Sequence, residues 1–197
     1  MKLLRFQQGI SLIETLVGMA IVVLALAMGL PSFSTYLQNS QIRNAAEAIQ
    51  NGLSMARAEA TRRNTIVQFV LGSGSSWTVG CATVDGTNCP ASIQARSAAE
   101  GSSNATVTTS QVITSSGAAA ATAAFTTTLS FNGFGKASTL PPGNSALFDI
   151  SNSSGGATCA TAGGTMRCLR VIVTAGGQIR MCDPKLTSTN PGNPQAC

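Results

Sequence analysis

The chain has 197 residues, enough for one modest globular domain beside a long appendage. Only 10% of residues are charged, and Ser, Thr, Ala and Gly crowd the second half, a balance that suits a secreted or surface-exposed β-rich domain better than a cytosolic enzyme. The net charge of +5 is dispersed, which excludes a dense nucleic-acid-binding arm, and the lack of histidine removes the commonest general acid–base group.

Lys2 and Arg5 open the chain, polar Gln7-Gln8-Gly9 follows, and from Ile10 to Leu30 the only charge is Glu14. At a rise of 1.5 Å per residue this apolar run makes roughly 30 Å of helix, enough to cross a bilayer. The leading basic residues keep the N-terminus cytoplasmic, so the chain beyond Pro31 is expected in the periplasm. An ordinary secretory signal has its small-residue cleavage site after the apolar run, and Met28-Gly29-Leu30-Pro31 is a poor one. The change of character falls instead between Gly9 and Ile10, and cleavage there leaves the hydrophobic helix on the mature protein. Glu14 either reaches the headgroups from the helix end or has a role at apolar depth. Cleavage after Gly9 would provide such a role, because it creates an α-amino group at Ile10, one turn away, which a neighbour's Glu14 can neutralise in a packed bundle.

Gly9-Ile-Ser-Leu-Ile-Glu14, after a short basic leader and before an apolar helix, resembles the type III signal of type IV pilins and pseudopilins. The resemblance implies that a prepilin peptidase cuts between Gly9 and Ile10 and methylates Ile10. It makes Glu14 the acidic residue of the fifth mature position, and puts Pro31 where many pilins have a helix-kinking proline. Ile10 departs from the phenylalanine or methionine common at that place. The implied organisation is a leader over 1–9, a transmembrane and assembly helix over 10–30, its continuation over 31–64, and a periplasmic domain over 65–197.

After Pro31 the helical pattern continues to Arg63, with Ile42, Ala45, Ile49, Leu53, Ala56 and Ala60 recurring at threes and fours to form a sheet-packing stripe. Arg43, Glu47, Arg57, Glu59, Arg62 and Arg63 occupy the other side, where a solvated face is the expected reading, and Glu59 with Arg63 has the spacing of a favourable helix pair. Asn64 is a stop signal. Strands are expected at Ile66 to Leu71, Trp77 to Cys81, Val107 to Ile113, Leu129 to Phe131, Ala146 to Ile150, Cys168 to Thr174 and Gln178 to Cys182, the last two joined by the hairpin turn Ala175-Gly176-Gly177. Ser97 to Thr128, almost free of charge and low in complexity, is expected to hold one strand and otherwise an exposed or subunit-facing loop. The simplest architecture is α+β, a long N-terminal helix packed on an antiparallel sheet.

Cys81, Cys89, Cys159, Cys168, Cys182 and Cys197 form an even set beyond the apolar segment, as expected of disulfides made in an oxidising compartment. Zinc is disfavoured, because histidine is absent and no cysteine pair has the short gap of a thiolate site. Pairing sequence neighbours gives Cys81–Cys89, Cys159–Cys168 and Cys182–Cys197, one choice among 15.

Trp77-Thr-Val-Gly-Cys81, Phe131-Asn-Gly-Phe-Gly135 and the run from Arg170 to Pro184 resemble the GspH/FimT/FimU group of minor pilins and pseudopilins. Some FimT-type members bind DNA through a C-terminal Gly-Arg-x-Arg motif. Gly177-Gln178-Ile179-Arg180 lacks the first arginine, which leaves Arg167, Arg170, Arg180 and Lys185 as candidate phosphate contacts of weak, salt-dependent affinity. Asp85, Glu100, Asp149 and Asp183 are scattered, and no nucleophile elbow, phosphate loop or Cys-x-x-Cys motif is present, so neither an enzyme nor a cofactor or metal site is expected. The resemblance implies a minor pilin that helps prime a type IV pilus and sits near its tip, with a DNA-uptake receptor or a type II secretion pseudopilin as alternatives. Its implied partners are other minor pilins, the major pilin, the prepilin peptidase, the inner-membrane assembly platform and a tip adhesin, with DNA as a further candidate. Its implied location is the inner membrane, then the surface filament, of a Gram-negative bacterium.

Overall fold

The computed structural model describes residues 9–86, 88–113, 121–152, 154, 158–186 and 193–197. It divides into two compact units, Met1–Leu37 and Gln38–Cys197. One helix, α1 (Leu12–Arg63), contributes to both and runs through Pro31 without a break.

Within the second unit, the stripe anticipated from the periodicity is the buried face of α1: Ile42, Ala45, Ile49, Leu53, Ala56 and Ala60 are all shielded from solvent. The alanines among these buried positions keep the face narrow, and at Gly52 the backbone comes closer still. A Cβ there would stand 2.8 Å from the Phe69 ring and 2.9 Å from that of Trp77. The helix ends at Asn64, whose φ of 49° is the left-handed conformation that asparagine tolerates better than most residues. The Asn64 N–H donates to the Thr61 carbonyl and the Thr65 N–H to that of Ala60, satisfying two carbonyls the helix would otherwise leave open.

Among the described residues nine strands follow: β1 (Val67–Leu71), β2 (Trp77–Cys81), β3 (Gln94–Arg96), β4 (Ala105–Ile113), β5 (Ala121–Ala124), β6 (Thr128–Phe131), β7 (Ser145–Asn152), β8 (Leu169–Thr174) and β9 (Ile179–Cys182). The expected single sheet is two antiparallel sheets, ordered β3-β2-β1-β6 and β5-β4-β7-β8-β9. The split follows from pairing partners distant in sequence: β1 takes β6 as its second neighbour, and β7 lies between β4 and β8. The segment from Ser97 to Thr128, expected to hold one strand, contributes β4 and β5, while residues 114–120 lie outside the described residues.

Both sheets and the buried face of α1 share one hydrophobic cluster. Alternation along the strands turns Val67, Phe69 and Leu71 of β1 and Val171 and Val173 of β8 inward. Phe69 links the layers, meeting Trp77 at 5.8 Å and, edge-on, Phe148 of the second sheet at 5.9 Å.

Candidate assembly and surface sites

The N-terminal candidates come first in the chain. Gly9 and Ile10 lie just ahead of α1 in irregular, exposed backbone, and a Cβ on Gly9 would meet nothing within 4 Å. The Ser11 carbonyl accepts the N–H groups of Glu14 and Thr15 at 3.0 and 3.2 Å, and the Thr15 hydroxyl donates to the Leu12 carbonyl. Glu14 is exposed in the first turn, where its negative charge complements the unpaired N–H groups of the helix end. Beyond it Leu16, Val17, Met19, Ile21, Val22, Val23, Leu24, Leu26 and Met28 are all more than half exposed. An 18-residue stretch of α1 is apolar enough to span a membrane, and none of it is buried within the chain. A helix apolar on every side and uncovered by its own protein needs lipid or other helices around it.

The four basic candidates do not form a common surface cluster with free guanidinium groups. Cross-strand pairing sets Arg170 of β8 opposite Asp149 of β7, and the two side chains join through a fork of 2.6 and 3.1 Å hydrogen bonds. Arg167 is held at both ends: its backbone N–H donates to Asn39 on α1, and its guanidinium reaches buried Asp183 at 2.7 Å. Arg180 of β9 donates to the carbonyls of Ala196 and Cys197. Lys185 is exposed, and its backbone N–H donates to Asp183. A polyanion at this end must compete with partners already in place for three of the four cations.

The six cysteines pair as Cys81–Cys89, Cys159–Cys168 and Cys182–Cys197, with Cα separations of 5.6, 5.4 and 5.1 Å. The first and last crosslinks tie irregular segments to β2 and β9: the first closes a loop whose Asp85 and Cys89 exchange two backbone hydrogen bonds, and the last holds the tail where Ala196 bridges Asp183. Among the described residues no group of three or more His, Cys, Asp or Glu side chains is gathered as a metal would require.

Two turns that look independent in the sequence prove to be in contact. In Phe131-Asn-Gly-Phe-Gly135 the Asn132 side-chain oxygen accepts the N–H groups of Phe134 and Lys136, and Gly135 adopts a φ of 73°. In the β8–β9 turn Gly177 has a φ of 84° and donates to the Thr174 carbonyl. A Cβ on Gly177 would collide with the Gly135 carbonyl oxygen, so the two turns meet backbone to backbone beside Arg57. No local signal in either turn records this meeting. Nearby, Glu59 receives Arg62 at 2.6 Å and Arg63 at 2.7 Å. The hydrogen bond from Arg62, helped by that from Arg63 and opposed by partial burial, holds the Glu59 carboxyl below the ordinary glutamate range.

Residues 45–177 match the family model described as Type II transport protein GspH. The chain belongs to that family. As a GspH-family member it is a minor pilin or pseudopilin, a membrane-anchored structural subunit of a kind that associates with other pilins. It is also similar to the type IV minor pilin FimU of Pseudomonas aeruginosa strain PAO1 in two crystal forms. The identities are 16% and 14%, covering 71% of this chain and 87% and 90% of those chains, each with a TM-score of 0.45. No curated protein matches the chain.

Proposed function

We propose that this protein is a minor type IV pilin, cleaved after Gly9 and methylated at Ile10, that helps prime pilus assembly and sits near the filament tip. The uncovered apolar surface from Ile10 to Met28 carries the reading, because nothing among the described residues shields it. Lipid covers it after insertion, and the helices of neighbouring pilins cover it after extraction by the assembly platform. Within that bundle Glu14 neutralises a neighbour's α-amino group and so fixes the register of the subunit. The tightly crosslinked domain, outside the membrane, faces other minor pilins and a tip adhesin.

The experiment pairs mass spectrometry of the mature N-terminus with quantification of the protein in sheared filaments. A mature chain starting at methylated Ile10 is expected, and Glu14→Ala should keep membrane insertion while lowering filament content at least about tenfold, the scale of a lost charge pair in a low-dielectric bundle. A mature chain starting near Pro31, or filament content unchanged by Glu14→Ala, overturns the reading. The family description favours a second reading, a pseudopilin of type II secretion; the same processing then serves a periplasmic pseudopilus, and the protein is missing from surface filaments but required for secretion.

A further inference from the structure

Arg57 differs from the other arginines described in the globular unit. Arg43, Arg62, Arg63, Arg96, Arg167 and Arg170 each reach a carboxylate, and Arg180 reaches two carbonyls. The Arg57 guanidinium has no hydrogen-bond or ion-pair partner among the described residues. It is nevertheless held in place: its Nε lies 3.1 Å from where a Cβ on Gly135 would stand and 3.4 Å from one on Gly177. The two interlocked glycine turns form a backbone seat for this side chain: a Cβ on Gly135 would crowd it directly, and one on Gly177 would collide with the Gly135 carbonyl that forms the seat.

Arg57 lines a groove of about 560 Å³ together with Ser54, Thr61 and Arg62 of α1 and Ile179 of β9. The Ser54 hydroxyl and the Arg57 guanidinium line it beside the aliphatic side chain of Ile179, while the Thr61 hydroxyl donates to the Arg57 carbonyl and Arg62 is engaged by Glu59. Phe134 lies in the turn between Gly133, which abuts Asn64, and Gly135, which abuts Arg57; its side chain is 87% exposed on a backbone fixed by Asn132. Three arginines against Glu59 leave two positive charges on this end of the helix. That is too few to follow a phosphate backbone, which carries one charge per about 1.7 Å of duplex. It fits a carboxylate beside an apolar side chain, the geometry an arginine fork binds best.

We infer that this groove is a docking site for a carboxylate-bearing segment of a neighbouring pilin subunit. Arg57 grips the carboxylate, Ser54 donates beside it, and Phe134 covers the adjoining apolar residue. The inference rests on the filament-subunit reading and deepens it, since it names the chemistry of the partner and the surface that meets it.

The test uses the full-length chain in piliated cells, with a photoreactive benzophenone residue replacing exposed Ala58 in the groove or, as a control, exposed Val84, which lies in the disulfide-closed loop and does not line the groove. After irradiation, Ala58 should crosslink to another pilin, and Arg57→Glu should cut that product about tenfold, as loss of a charge-assisted fork implies. Arg57→Lys should retain part of it. The Val84 products and the three disulfides, read on non-reducing gels, should be unchanged and so exclude misfolding. A subunit present in filaments whose Ala58 yields no pilin product, a product insensitive to Arg57→Glu, or a product with nucleic acid overturns the docking site alone. Absence of the chain from every filament and pilin complex overturns the filament reading and the site with it.

Discussion

Single residues set the closest approaches in this molecule, and their chemistry is easily misread from sequence. Gly52 is an unremarkable glycine inside a helix until the structure puts it against Phe69 and Trp77. Alanine there gains about 1 kcal/mol of helix propensity, yet the methyl group must displace two rings in a packed core. Overpacking of this kind costs about 1–3 kcal/mol, so Gly52→Ala is expected to lower the denaturation midpoint of the chain in circular dichroism; a raised midpoint would show that the rings yield freely. Arg57 is misread in the opposite direction. Its helical spacing marks it as one of several solvated cations, and nothing local indicates that Gly135 and Gly177, far along the chain, meet to seat it.

At the scale of elements, the signals that survived are those written locally. The stripe from Ile42 to Ala60 was legible because a three-and-four spacing needs only the helix itself to interpret it, and every member is buried. Asn64 was legible as a stop for the same reason. Strand β3 has only the three residues Gln94-Ala95-Arg96, largely exposed, and owes its existence to Trp77 pairing opposite Arg96, which no periodicity records. Strand β5 is Ala-Thr-Ala-Ala, of low strand propensity, held by its register with β4. The fork between Arg170 and Asp149 likewise depends on a register between strands 21 positions apart.

The last turn of α1 offers a test with a definite sign. Hydrogen bonds from Arg62 and then Arg63 hold the folded Glu59 carboxyl below its unfolded value. The stability this adds is therefore present at neutral pH, above the ordinary glutamate range, and is lost as pH falls through the lowered folded value. Glu59→Gln should unfold more readily than the parent at pH 7, with the difference shrinking steadily in acid. A difference that is constant across pH would assign the effect to packing instead of charge.

For the molecule as a whole, the fold class and the N-terminal segment were readable, since an apolar run with one carboxylate and a β-rich remainder are properties of composition. The division into two sheets was not, because it depends on which strands find each other across long stretches of chain. The disulfides matter most at this scale. Cys182–Cys197 closes a loop of 15 residues and fixes the tail that bridges Asp183 and satisfies Arg180. Replacing both cysteines with serine should cost about 3 kcal/mol on the chain-entropy account, measured by denaturant titration of the oxidised parent and variant. An unchanged midpoint would mean that the tail is held by its hydrogen bonds alone.

Trp77 is the chain's sole tryptophan, and its ring lies against Gly52 of α1 with only 4% of the residue exposed. Its indole N–H is buried without a hydrogen-bond partner among the described residues. The protein thus has a built-in optical reporter at the junction of helix and first sheet. Its emission is blue while the two are joined and shifts to the red once water reaches the ring, so loosening of that joint can be timed in unlabelled protein.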